Sequence, residues 1–168
     1  MGDISPVIVF GVGNTLMGDD GVGQIAVKRL AKNDRFHNSG VVFHHIEGDI
    51  LEIADWLDRA PHFIFVDALH GEPIGEVLRH DPKPTLAAPS FHQSDIGTTM
   101  LQLEAIEAVV PFPEWEIWGV RIVPPTQPQD TLSPIITASL PRLVLQISRR
   151  MDEILNSSMS LKNPKEHI

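Results

Sequence analysis

Asp19 and Asp20 stand side by side in a stretch punctuated by Gly11, Gly13, Gly18, Gly21 and Gly23, and Asp67 closes the apolar run Phe63-Ile64-Phe65-Val66. Carboxylates paired on a loop suit divalent cations and acid–base chemistry. They also suit a helix start, where the macrodipole favours negative charge, so Asp19 and Asp20 have a plain structural reading as first-turn acids. The glycines weigh against that reading alone. They lower helix stability, and their number indicates a required backbone shape.

The string Gly11-Val12-Gly13-Asn14-Thr15-Leu16 is not read as a nucleotide loop. The dinucleotide fingerprint needs a small residue where Leu16 stands, and the P-loop needs Gly-Lys followed by Ser or Thr. Each carboxylate at ~4 Å from a phosphate would repel it by roughly 1–4 kcal/mol in a water-like to intermediate dielectric. No nucleotide cofactor is expected.

The elements that must position these acids alternate between strand and helix patterns. Val7 to Phe10 reads as a buried strand ending at Gly11, and Val22, Ile25, Ala26 and Leu30 fall at helical spacing after the acidic loop. Val41 to Phe43 begins a second strand that can run to Ile46, and Ile50, Ile53, Ala54 and Leu57 form the stripe of a second helix. Phe63 to Val66 is a third strand ending at Asp67, with a short extended segment around Glu76 to Leu78. Residues 81–95, with Pro82, Pro84 and Pro89, read as a loop. Ile96, Met100 and Leu103 suggest a helix, and Trp115 to Val123 a last strand stopped by Pro124 and Pro125. Ser133 then Pro134 is an N-cap followed by proline at the first helical position. The final helix is expected to run to about Leu155, with Pro141 kinking or interrupting its first part. This pattern predicts one α/β domain over residues 1–155, a three-layer α/β/α fold with a mostly parallel sheet, and a polar, frayed tail over residues 156–168. Function in such sheets gathers beyond the carboxyl ends of the strands, where the loop after Phe10 and the one containing Asp67 both lie.

Composition narrows the chemistry. The 168 residues contain no cysteine, which removes disulfides, thiolate metal sites and a Cys nucleophile, and which fits a reducing compartment. The formal net charge of −9 argues against a nucleic-acid partner. No stretch approaches the roughly 20 apolar residues of a membrane span, and the N-terminus lacks a signal-peptide pattern. The expectation is a cytoplasmic protein.

The whole string from Gly11 to Gly23 resembles the opening motif of the hydrogenase maturation endopeptidases: Gly-x-Gly-Asn, a hydrophobic residue, an acidic pair and a Gly-rich helix start. Phe65-Val66-Asp67-Ala68 looks like that family's strand-end Asp motif, and Ser90-Phe91-His92-Gln93 like its His loop. Gly119 to Pro124 and Leu132-Ser133-Pro134 resemble its last strand and last helix start, so the likeness spans roughly residues 6–155. One departure is that the glycine after the His motif, Gly97, stands further from the histidine than is usual.

The resemblance implies a five-stranded sheet flanked by helices and an endopeptidase that removes a C-terminal extension from a nickel-iron hydrogenase large-subunit precursor. It implies Asp20, Asp67 and His92 as metal-binding and catalytic residues of an aspartate-dependent peptidase. It further implies that the nickel arrives with the precursor, which is the partner, and that the protease acts as a monomer. Two carboxylates and an imidazole accept divalent first-row ions, and imidazole suits nickel. A metal-polarised carbonyl and a metal-activated water both fit, with Asp20 or Asp67 as base. Two rival readings are a related peptidase with its own resident metal and a nickel-centre chaperone that binds the precursor without cutting it. Asp19 is either a helper in the site or the helix start. His44 and His45 are adjacent on a strand, point to opposite faces and are read as structural; His70 is a candidate for the cleft wall. Trp115 and Trp118 should likewise face opposite sides of the sheet.

Overall fold

The computed structural model describes residues 4–81 and 96–162; His92 and the rest of the 82–95 segment lie outside the described residues. Five strands form one sheet: β1 (Ile8–Val12), β2 (Val42–Ile46), β3 (His62–His70), β4 (Val77–His80) and β5 (Glu114–Ile122), in the order β2-β1-β3-β5-β4. β2, β1, β3 and β5 are parallel, and β4 runs antiparallel on the β5 edge. The expected largely parallel, helix-flanked sheet is therefore the fold.

Alternation along the strands divides the core in two. Val7, Val9, Ile64, Val66, Val120 and Ile122 face α1 (Val22–Ala31) and α3 (Pro134–Lys162). Ile8, Phe10, Phe63, Phe65 and Ile117 face α2 (Ile96–Ala105) and the 3-10 helix Ile50–Trp56. Phe10 gathers the second layer, stacked on Phe65 with ring centroids 5.0 Å apart and edge-on to Phe63 at 5.2 Å. Trp118 packs with the first layer and Trp115 with the second, the opposed facing that their spacing predicts.

Three expectations change. The second helix is a 3-10 helix of seven residues, Ile50–Trp56. At three residues per turn, Ile50, Ile53 and Trp56 share its inward face while Ala54 is exposed, so the apolar stripe belonged to the tighter helix. β3 does not end at Asp67 but continues to His70, because β5 goes on pairing with it as far as His70↔Ile122. α3 is uninterrupted through Pro141 and extends past Leu155 to Lys162. Ile136, Leu140, Leu143, Ile147 and Met151, all fully buried, fix the helix on both sides of the proline, whose own position is exposed. Among the described residues no helix is long and apolar enough to cross a membrane.

Candidate functional site

The order β2-β1-β3 places the sheet's topological switch between β1 and β3. The chain leaves β1 toward β2 through α1 on one face and reaches β3 from β2 through the 3-10 helix on the other. A crevice opens at the carboxyl ends of strands at such a point. β1 pairs with β3 only as far as Gly11↔Val66, whereas β5 stays paired beyond it, with Asp67 opposite Gly119. Asp67 is thus the first β3 residue past the end of the β1 ladder, while the loop bearing Asp19 and Asp20 leaves β1 beside it.

The loop is built to close tolerances. Gly13 has φ +115°, and a Cβ there would overlap the backbone carbonyl oxygen of Asp20. Gly23, in the first turn of α1, lies against the carbonyl oxygens of Val12 and Val66, leaving no room for a methyl group. The buried Gln24 side chain donates to the carbonyl oxygens of Gly13 and Ile46, tying the loop to β2.

The two acids of the pair diverge. They sit in a 3-10 turn, Gly18–Gly21. Asp20 Oδ2 accepts the Asn14 N–H at 2.9 Å and so stays over the loop. Asp19 turns to the start of α3, where Oδ1 accepts the Ser133 N–H and Oδ2 the Ser133 hydroxyl, each at 2.7 Å. Asp19 is therefore the acid that serves a helix start, and the helix is α3 rather than α1.

Asp67 is half-buried, and its carboxyl group is pushed up to about 7. Burial is the largest cause, since it disfavours the charged form. The Ala68 N–H, 2.8 Å from Oδ1, works in the opposite direction, and the negative charge of Asp20 adds to the rise. Asp20, on the loop that leaves β1, and Asp67, just past the end of the β1 ladder on β3, both stand at the carboxyl end of this part of the sheet. Alternation directs Asp67 toward the face of Phe65 and Leu69, the layer in which the first residue of α2, Ile96, is buried. His92 precedes Ile96 by four residues.

His70 is exposed, at the far end of β3 and, by strand alternation, on the face opposite Asp67. His44 and His45 do face opposite ways. His44 lies 4.5 Å from the Trp56 ring and 2.9 Å from Glu52 Oε1, whereas His45 is on the α1 side with Nδ1 buried and unbonded. Burial is the first cause that lowers the His45 pKa below the usual imidazole value. Among the described residues no group of three His, Cys, Asp or Glu side chains is arranged to hold a metal ion; of the expected set, Asp20 and Asp67 are described and His92 is not. Their oxygen donors are of the type that accepts a divalent first-row cation. What the sequence did not reveal is the Asp19–Ser133 pair and the buried Gln24 bridge, since both join residues through side-chain direction that spacing does not encode.

No protein-family model and no curated protein matches the sequence. Solved structures do match the fold. The hydrogenase maturating endopeptidase HybD from E. coli is 22% identical, with a TM-score of 0.66 over 88% of this chain and 92% of that one. The [NiFe] hydrogenase maturation protease HybD from Thermococcus kodakarensis is 21% identical, with a TM-score of 0.66 over 86% of this chain and 97% of that one. The hydrogenase 2 maturation peptidase from a Thaumarchaeota archaeon is 24% identical, with a TM-score of 0.61 over 86% and 97% of the two chains. At these identities the likeness is one of fold.

Proposed function

We propose that this chain is an endopeptidase that removes a C-terminal extension from the nickel-loaded large-subunit precursor of a nickel-iron hydrogenase. The observation that carries the reading is the placement of Asp20, on the loop after β1, and Asp67, just past the β1 ladder on β3, at the β1/β3 switch point, in a fold shared with proteins named as hydrogenase maturation proteases. The nickel belongs to the substrate. Asp20, Asp67 and His92 engage it and thereby set the scissile peptide bond against the crevice.

Cleavage is hydrolysis. Water adds to the carbonyl carbon, the C–N bond breaks, both protons of the water end on the departing nitrogen as an ammonium group and the new C-terminus is a carboxylate. A carboxylate of the Asp20–Asp67 pair takes the proton of the attacking water. Asp67 is suited to that task, because a carboxyl group near 7 exchanges its proton at neutral pH. The same value means that a cationic centre approaching Asp67 displaces a proton from it.

The test is incubation of the protein with nickel-loaded and nickel-free precursor, followed by mass spectrometry. Loss of a C-terminal peptide from the nickel-loaded form alone is the expected result. A precursor that binds with unchanged mass would make the protein a chaperone of the nickel centre. Cleavage of both forms by protein purified with stoichiometric metal would make it a peptidase with a resident metal.

A further inference from the structure

We propose that Asp19 is a positioning residue: its clamp on Ser133 fixes the turn that aims Asp20 into the crevice. The inference rests on the proposed function for its catalytic readout, though not for its structural one. Successive side chains in a 3-10 turn diverge by about 120°, so the direction of one acid sets the direction of the next. The turn Gly18–Gly21 has no side-chain cap of its own. Among the described residues, four bonds tie the turn and the Leu16 before it to residues 129–133. Gly18 N–H donates to the Gln129 carbonyl at 2.6 Å, Gln129 N–H to the Leu16 carbonyl at 2.9 Å, and the Ser133 N–H and hydroxyl to the two oxygens of Asp19 at 2.7 Å each.

Of these four, the two Asp19 bonds are made by a side chain, and both of its oxygens are used, which leaves that carboxylate one orientation. Ser133 is itself immobilised, since its carbonyl accepts the Thr137 N–H at 2.9 Å in the first turn of α3. Asp20 in turn holds the Asn14 N–H, so any rotation of the turn is felt at Asn14. The opposing account makes Asp19 a helix cap that stabilises α3 and nothing more.

The experiment uses the full chain in Asp19→Asn, Ser133→Ala and Ser133→Thr forms, with Arg35→Ala as a control that removes a 2.7 Å ion pair to Asp152 remote from the site. The expected result is that Asp19→Asn and Ser133→Ala lower kcat on nickel-loaded precursor by roughly tenfold, as misorientation of a catalytic group predicts, with KM rising as far as the nickel contact of Asp20 is weakened. Ser133→Thr, which keeps the hydroxyl, restores kcat. In parallel, the Asn14 amide proton resonance moves in Asp19→Asn and Ser133→Ala and stays in place in Arg35→Ala. Equal loss of kcat in Asp19→Asn and Arg35→Ala would reduce Asp19 to a stabilising cap. An unmoved Asn14 resonance in both clamp variants would overturn the proposal outright. If the wild-type protein leaves the precursor intact, the proposed function fails, and the Asn14 resonance still decides the positioning role. Should Asp19→Asn not fold, Ser133→Ala carries the test, because it keeps the carboxylate and removes one bond.

Discussion

Gly23 rests directly on the carbonyl oxygen of Val66, the residue that precedes Asp67. The contact brings the first turn of α1 down onto the ends of β1 and β3. A methyl group at position 23 would meet two backbone carbonyls, of Val66 and Val12, neither of which can rotate away. Gly23→Ala should therefore lift α1 and destabilise the protein by about 1–3 kcal/mol, the usual range for overpacking. Precursor processing should fall with it. The checks are urea unfolding and a processing assay; an unchanged midpoint would show that α1 is not seated by this contact.

Asp67 predicts a stability that depends on pH in a definite direction. Its pKa is raised from 3.8 in the unfolded chain to about 7 in the folded one. Between those values the folded state holds the extra proton, so the contribution of this group weakens as pH rises from about 4 to about 7 and is least favourable above. Asp67→Asn removes the penalty. It should raise Tm relative to wild type at pH 8 and change it little at pH 4, with at most about 4 kcal/mol involved, from roughly 3 pKa units. Thermal melts of both proteins across that range decide the matter; a larger gain at pH 4 than at pH 8 would reverse the sign argued here.

The same substitution should abolish processing while the protein becomes more stable. Loss of function with gain of stability separates a site residue from a packing residue. His92→Ala should match the activity defect with circular dichroism unchanged, and His44→Ala should retain processing, since His44 lies between Trp56 and Glu52. Normal processing by a folded His92→Ala protein would remove the histidine from the site.

Processing should also weaken in acid. In the proposed site, protons would compete with the nickel centre for Asp67, near 7, and for an imidazole, ordinarily near 6.5. Binding of nickel-loaded precursor should fall as pH drops below about 7, whereas nickel-free precursor should be neither bound tightly nor cut. Titration of the two precursors at pH 6 and pH 8 tests both halves of this statement. A flat pH response would exclude the carboxylate pair as the nickel contact.

The sequence makes the fold legible wherever periodicity carries it. β1, α1, β3 and β5 announce themselves by apolar runs and by spacing, and Ser133-Pro134 marks the start of α3 to the residue. Legibility fails where tertiary contacts decide. The stripe from Ile50 to Leu57 cannot distinguish 3.6 from 3.0 residues per turn over so short a segment. Pro141 stays inside a helix because buried neighbours on either side hold it there. β3 outruns its apolar core because β5 offers partners as far as Ile122. In the site, Asp20 and Asp67 stand out by residue type and by their place at strand ends. The separate duty of Asp19 does not, because its partner lies in a distant element and only the direction of the 3-10 turn selects between the two acids.

That distance bears on how the protein comes into being. Asp19 and Ser133 are separated by 114 residues, so the acidic loop is made early and secured late. At synthesis rates of about 5–20 residues per second, roughly 6–23 s pass between the emergence of the two partners. β1 can pair with β2 and β3 during that interval, but the loop beside them lacks its two bonds to Ser133 until the last helix begins. A nascent or C-terminally truncated chain therefore carries Asp19 without its partner, and the clamp closes only with the start of the final helix.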